Sequence, residues 1–243
     1  MAPISLNDIA RFLAEKLTTN RYTPDEQGGI FRASDRPVQR LGLALESFPD
    51  IGNWAKTNEL DAIWLHRPWQ LPPDELPDDI GVLYHHRPFD EHLTMGYSPA
   101  MAESLGLHDI QEIGFKQSLN ADGTVLAQRP IGLLAQAPAK SFEEWQTLIV
   151  NTFGGADEVI PGKTQLIDCV AVVGAMNEPL VREIAERGVT LYLTGQYRPS
   201  AKKAVQETGI SVIAVGHRRN EEWGLRALKT ILEPIVETLL QPT

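Results

Sequence analysis

The carboxyl-terminal half of the chain alternates short apolar runs with amphipathic stretches. The runs IDCVAVVGA, VTLYLTG and ISVIAVGH predict strands, and the stretches EPLVREIAERG, PSAKKAVQETG and EEWGLRALKTILEPIVETLL predict helices. Strands that alternate with helices of about a dozen residues are typical of βαβ units with parallel pairing. This pattern predicts an α/β fold.

The amino-terminal half has a less regular pattern. Apolar residues at helical spacing after Ser5, a residue type that caps helices, predict a helix over SLNDIARFLAEKL. Residues 20–37 are polar and predict a loop. The stretches VQRLGLALE, LDAIWLHRP, IGVLYHHRP and DIQEIGFK predict strands, and FPDIGNWAKTNEL and SPAMAESLGL predict short helices.

The pattern changes around residues 121–140, which contain an Asp-Gly turn signal and two strand-like runs, TVLAQRP and IGLLAQAP. We expect these runs to form a hairpin, followed by a helix over SFEEWQTLIVNTF. The change predicts two α/β domains with mixed or parallel sheets. Residues 1–120 and the final helix at 222–243 would form one, and residues 121–221 the other.

Composition narrows the class of protein. The 243 residues carry a net charge of −10, which disfavours binding to nucleic acids and to anionic membranes. The single cysteine, Cys169, excludes an internal disulfide and a cysteine-based zinc site. We find no apolar run of 18 residues and no signal-peptide pattern at the start, and therefore expect a cytoplasmic protein without a membrane span.

Candidate metal ligands follow the predicted strands. His66 ends one strand, His86 and Asp90 follow the next with H-x-x-x-D spacing, and His217 and Glu221 follow the last with H-x-x-x-E spacing. Ligands collect at the carboxyl ends of strands in open α/β sheets, and imidazole with carboxylate suits Zn, Mn, Fe or Co. Taken singly, each residue has a structural alternative: a hydrogen-bonded histidine, a turn cap, or an acid at a helix dipole.

The stretches DAIWLHRP (61–68), GVLYHHRPFD (81–90), LYLTG (191–195) and VIAVGHRRNEEWGLRAL (212–228) carry a family resemblance. The chain resembles the NGG-interacting factor three-like proteins, many of which are known as GTP cyclohydrolase type 2 homologues. The resemblance implies two α/β domains, a hexameric ring of identical subunits, and paired metal ions. It also implies that His66, Asp90, His217 and Glu221 are the metal ligands, with His86 as the neighbouring histidine.

Three positions depart from the family pattern. Arg67 stands where the family has a second histidine, Arg87 replaces a threonine, and Gln196 replaces a common acid. A guanidinium does not bind metal and carries a fixed positive charge. We therefore expect one divalent ion in place of two, held by His66, His217 and Glu221. Arg67 would replace the second ion and pair with Asp90. Loss of both ions, with the fold kept as a scaffold, is the alternative.

Two classes of function fit these residues. The first is metal-dependent hydrolysis of a small phosphorylated or nucleotide-like molecule. Glu221 would accept a proton, Arg67 would act beside it, and Arg87 and His86 would bind an anionic group. The second is a non-enzymatic oligomeric scaffold or adaptor that binds metal. Trp64, Trp69 and Phe89 flank the candidate site, where packing is the expected role and stacking on a base the alternative.

Overall fold

A computed structural model describes residues 3–174 and 176–242, which form two compact units. Unit 1 comprises Met1–Phe89, Gln117–Ala127 and Gly224–Thr243, and unit 2 comprises Asp90–Lys116 and Gln128–Trp223. The domain division predicted from the sequence stays a prediction. In the structure, residues 90–116 belong to unit 2, where the strand His108–Lys116 pairs with Arg129–Ser141.

The helices and strands follow one another along the chain as α1 (Leu6–Lys16), β1 (Gly29–Arg32), β2 (Arg40–Glu46), α2 (Ile51–Thr57), β3 (Ala62–Arg67), β4 (Gly81–Tyr84), α3 (Arg87–Leu93), α4 (Pro99–Ser104), β5 (His108–Lys116), β6 (Arg129–Ser141), α5 (Phe142–Phe153), β7 (Glu158–Ile160), β8 (Leu166–Val173), α6 (Glu178–Glu186), β9 (Leu191–Thr194), α7 (Lys202–Thr208), β10 (Ser211–Ala214), α8 (His217–Leu232) and β11 (Glu237–Leu240). Short 3-10 turns lie at Thr19–Arg21, Pro68–Gln70 and Pro199–Ala201.

Unit 1 is built on a five-stranded sheet in the order β1-β4-β3-β2-β11. Strands β4, β3, β2 and β11 are parallel, and β1 is antiparallel to β4. Helix α1 contacts β1 and β4 and buries Leu6, Ile9 and Leu13. The parallel pairing of Leu65 in β3 with Tyr84 in β4 aligns the carboxyl ends of these two strands.

Unit 2 is built on a six-stranded sheet in the order β5-β6-β8-β9-β10-β7, in which β8, β9 and β10 are parallel. Buried residues alternate between its two faces. Val170, Val172 and Ile213 belong to one core, which includes Trp145 of α5, whereas residues such as Ala171 belong to the other core, with helices α6 and α7. This alternation is the two-residue period expected of strands covered on both faces.

Several element predictions are wrong in detail. The run TVLAQRP forms no hairpin strand, and IGLLAQAP lies within β6, which pairs with β5 and β8. The predicted last helix ends at Leu232 and is followed by strand β11. Helix α3 and strands β1 and β7 were not predicted. Ala175, the last residue of the predicted strand IDCVAVVGA, lies outside the described residues.

The parallel strands and the amino-terminal helix are confirmed. Ser5 caps α1 by accepting a hydrogen bond from the Asp8 backbone N–H, as the sequence predicts. Within the described ranges, no helix combines the length and the apolar character that crossing a membrane requires.

Candidate metal centre

Two histidines and an aspartate lie together at the carboxyl ends of strands β3 and β4. One ring nitrogen each from His66 and His86 and one carboxylate oxygen of Asp90 all lie within 4.8 Å of one another. The parallel pairing of β3 with β4 brings the two histidines to one edge of the sheet, and helix α3 carries Asp90 four residues after His86. We call these three residues the His-His-Asp group.

Aromatic residues pack against His66, which is fully buried. Its ring lies parallel to Trp64 with centroids 6.4 Å apart, and the Phe89 ring is 4.6 Å away. Trp64 Nε1 donates a hydrogen bond of 3.1 Å to His85 Nδ1, and burial lowers the pKa of His85 to about 4. Trp64 and Phe89 are both buried, so the packing role expected of these two residues is confirmed.

The other two predicted ligands, His217 and Glu221, belong to unit 2. They lie one helical turn apart at the start of α8, and His217 Nε2 is 3.1 Å from Glu221 Oε1. Their surroundings differ, since the Glu221 side chain is 3% exposed and that of His217 is 58% exposed. The i, i+4 spacing therefore places both side chains on one face of the helix, as the sequence predicts.

An exposed ion pair between Arg219 and Asp157 holds the backbone that enters α8. Arg219 Nη1 lies 2.6 Å from Asp157 Oδ1 and also donates to the Val215 carbonyl. Gly216 has a φ of +97°, and a Cβ there would lie 2.6 Å from Asp157 Oδ2. The glycine before His217 is therefore required by backbone conformation and by space.

Asn220 links several segments of unit 2. Its Oδ1 accepts a buried hydrogen bond of 2.8 Å from the Met95 backbone N–H. Its side-chain amide also packs closely against Gly195, since a Cβ on that glycine would lie 2.7 Å from Asn220 Nδ2. The Thr94 hydroxyl in turn donates to the Asp90 carbonyl. Asn220 thus joins the first turn of α8 to the segment that follows Asp90.

The two arginines that depart from the family pattern both form ion pairs in unit 1. Arg67 Nη1 pairs with Glu46 Oε1, and Arg87 Nε lies 3.1 Å from Glu26 Oε1. The predicted pair between Arg67 and Asp90 stays a prediction. The Arg87 side chain is half exposed and lies at the start of α3, the helix that carries Asp90.

Sequence reasoning missed three residues near these positions. Glu91 Oε2 accepts a 2.7 Å hydrogen bond from Arg129 Nε, and this pair is almost fully buried. Thr194 Oγ1, at the end of β9, is buried and has no hydrogen-bond partner among the described residues. Thr194 could have been found from the sequence, because it is a polar residue at the end of an apolar strand. Nothing in the sequence around Arg129 indicates that its side chain is buried.

The donor chemistry of the His-His-Asp group fits a divalent transition metal. Neutral imidazole and carboxylate are ligands that zinc, manganese, iron and cobalt accept. The three side chains come from β3, from the residues after β4 and from α3, and they are buried or half-buried. Three protein ligands are the number that catalytic zinc sites use, because such sites keep a further position open.

Known proteins are similar to this chain in sequence. The "GTP cyclohydrolase 1 type 2 homolog" of Allochromatium vinosum is 23% identical over 239 residues, which cover 92% of this chain and 89% of the relative. The same-named protein of Neisseria meningitidis is 29% identical over 154 residues, 63% of this chain and only 57% of the relative.

A solved structure shares the fold of this chain, and a family profile matches its sequence. A Staphylococcus aureus hypothetical protein superposes with a TM-score of 0.74 at 15% identity, covering 100% of this chain and 97% of that chain. The sequence profile of the DUF34/NIF3 (NGG1p interacting factor 3) family matches residues 4–240. This chain therefore belongs to the DUF34/NIF3 family.

Proposed function

We propose that this protein is a metal-dependent hydrolase that acts on a small phosphorylated or nucleotide-like molecule. The observation that carries the proposal is the His-His-Asp group, whose three ligand atoms lie within 4.8 Å of one another. Exposed acidic clusters are common on protein surfaces, but this group includes a fully buried histidine. Two imidazoles brought together with a carboxylate favour a metal site over a purely structural role.

His66, His86 and Asp90 would hold the ion, and the family resemblance implies His217 and Glu221 as further ligands. The link through Asn220 supports this, because it ties the segment after Asp90 to the helix turn that carries Glu221. A buried carboxylate such as Glu221 is stabilised by an opposite charge. The number of ions per chain, one or two of Zn, Mn, Fe or Co, belongs to the proposal.

When bound, a divalent ion supplies hydroxide from water near neutral pH. With a single ion held by the His-His-Asp group, Glu221 would not be a ligand and would accept a proton, with His217 Nε2 at 3.1 Å as its partner. Arg87 would bind a phosphate group in competition with Glu26, because their ion pair is half exposed and therefore weak. Arg67 would add positive charge from beside His66.

The test is metal-dependent turnover. Protein purified without a chelating tag is stripped of metal, reloaded separately with Zn²⁺, Mn²⁺, Fe²⁺ or Co²⁺, and assayed with nucleoside triphosphates and p-nitrophenyl phosphate. We expect turnover that requires one of these ions and is lost in His217→Ala. His108→Ala is the matched control, since His108 is an exposed histidine paired with Asp109.

Stoichiometric metal binding without turnover on any substrate would favour the non-enzymatic scaffold. The assembly of identical subunits, a hexamer by the family resemblance, and the cytoplasmic location remain part of the proposal. Light scattering of the purified protein measures the subunit number directly. A monomer at micromolar concentration would contradict the proposed ring.

A further inference from the structure

Three aromatic rings form a surface cluster beside the His-His-Asp group in unit 1. Trp69 is 56% exposed and Phe31 is 45% exposed, and Tyr84 is half-buried. The Trp69 centroid lies 5.3 Å from Tyr84 and 6.4 Å from both Phe31 and His86. His86 belongs to the His-His-Asp group, so the cluster borders the proposed metal ligands directly.

The cluster is held by three elements of the sheet edge. Trp69 lies in the 3-10 turn Pro68–Gln70, directly after β3. Tyr84 is the last residue of β4, and Phe31 lies in β1, the edge strand that pairs with β4. Each ring contact with Trp69 is edge-to-face, with interplanar angles of 70° to 80°. These contacts hold the indole in place although more than half of it faces solvent.

Trp69 differs from the other aromatic residues near the site. Trp64 and Phe89 are completely buried and pack against His66, whereas Trp69 and Phe31 leave large apolar surfaces in water. Such exposure forgoes the stabilisation that burial of an aromatic ring gives. A contiguous exposed apolar cluster beside polar ligands is typical of a binding site.

We infer that Trp69, supported by Phe31 and Tyr84, is a stacking platform for a planar aromatic ring of the substrate. This inference rests on the proposed function and narrows its substrate class to molecules that carry both an aromatic heterocycle and a phosphate. Arg87, which begins the helix directly after His86, would bind the phosphate. A preformed platform binds such a ring with little loss of side-chain freedom.

Charge argues for a small ligand over a nucleic-acid chain. The protein carries a net charge of −10, which repels a polyanion, whereas a single phosphate needs only one local cation. Stacking of a base on an aromatic side chain is sequence-tolerant. The platform therefore selects for an aromatic ring without specifying which base is present.

The experiment compares two ligands that differ only in the ring. Zinc-loaded protein is titrated by calorimetry with AMP and, separately, with ribose 5-phosphate. We expect wild-type protein to bind AMP about tenfold more tightly than ribose 5-phosphate. Trp69→Ala removes this preference, leaves ribose 5-phosphate binding unchanged, and leaves the zinc content unchanged. Trp69→Tyr restores part of the preference because it restores an aromatic face.

Phe115→Ala is the matched control, because Phe115 is an equally exposed aromatic residue of unit 2. The inference is overturned if Trp69→Ala binds AMP as wild type does, if wild type binds neither ligand, or if it binds both equally. A change in subunit number on Trp69→Ala, measured by light scattering, also overturns it, since the cluster would then be a subunit contact. A wild type that prefers AMP but holds no zinc supports the platform and contradicts the metal proposal, so the two failures are distinguishable.

Discussion

Replacing Arg129 by methionine should destabilise unit 2 strongly. Arg129 is 2% exposed, and its Nε lies 2.7 Å from Glu91 Oε2. Lys116 makes a longer contact of 3.4 Å with the other carboxylate oxygen of Glu91 and is itself partly exposed. The Arg129→Met variant keeps the side-chain volume but removes the nearer charge, so that Glu91 retains the weaker contact with Lys116.

The size of the effect follows from the burial of this pair. Removal of one partner of a buried ion pair costs about 3–5 kcal/mol in the free energy of unfolding. The remaining contact with Lys116 places the expected loss near the lower end, at about 3 kcal/mol. A loss of this size lowers the melting temperature by about 10 °C for a protein of this length.

The assay is urea unfolding followed by circular dichroism, with calorimetry as a second measurement. Arg182→Met is the control, because Arg182 pairs with Glu178 on an exposed helix surface of the same unit. We expect the control to lose less than about 1 kcal/mol. The double variant Arg129→Met with Glu91→Leu should regain much of the lost stability, since it removes the uncompensated charge as well.

Metal binding provides a second measurement on the same variant. Glu91 directly follows Asp90 in α3, so loss of the ion pair should loosen the helix that positions this proposed ligand. Arg129→Met should therefore bind zinc more weakly than the Arg182→Met control. A variant as stable as wild type, or a double variant no better than the single one, would refute the reasoning about the buried pair.

Three further outcomes are expected. Asn220→Ala should lower the free energy of unfolding by about 1–3 kcal/mol, because the buried Met95 N–H loses its acceptor. Gly195→Ala should destabilise the Asn220→Ala variant less than it destabilises wild type, since the clash with the Asn220 side chain is gone. Denaturation of the single and double variants measures both effects. Burial lowers the pKa of His85 to about 4 in the folded protein, against 6.5 for an exposed histidine. The unfolded chain therefore binds more protons between these pH values, and stability should fall as the pH falls through this window, by about 3 kcal/mol. Urea titrations at several pH values measure this slope, which His85→Gln should remove. The buried Cys169 thiol, whose pKa is raised by burial, should react with a disulfide reagent roughly tenfold or more slowly in native than in urea-unfolded protein.

The hydrophobic pattern was sufficient to predict those strands whose burial is determined by residues close in sequence. The runs around Val170 and Leu191 are strands because apolar residues alternate between two buried faces. His66 and His86 were expected at one sheet edge because both follow apolar runs that pair in parallel, and Leu65 does pair with Tyr84. The ligand types were visible for the same reason, since strand ends collect binding residues in this fold class.

Interactions between distant residues explain what the sequence did not predict. The segment Glu237–Leu240 continues an apolar pattern compatible with a helix, yet it forms a strand because it pairs with β2, almost 200 residues earlier in the chain. The run TVLAQRP has a strand-like composition, but residues 124–128 are largely exposed and have no face to bury in a sheet, whereas its last two residues enter β6. The Glu91–Arg129 pair joins residues 38 apart, and nothing in either neighbourhood predicts the other.

The central claim is that His66, His86 and Asp90 bind a divalent metal ion. Calorimetric titration of metal-free protein with Zn²⁺ tests it most directly, with His66→Ala, His86→Ala and Asp90→Ala compared against the exposed-histidine variant His108→Ala. We predict stoichiometric binding in wild type and in His108→Ala, and at least about tenfold weaker binding in each of the other three. Wild-type affinity in all three of those variants, or no stoichiometric binding in wild type, would contradict the claim.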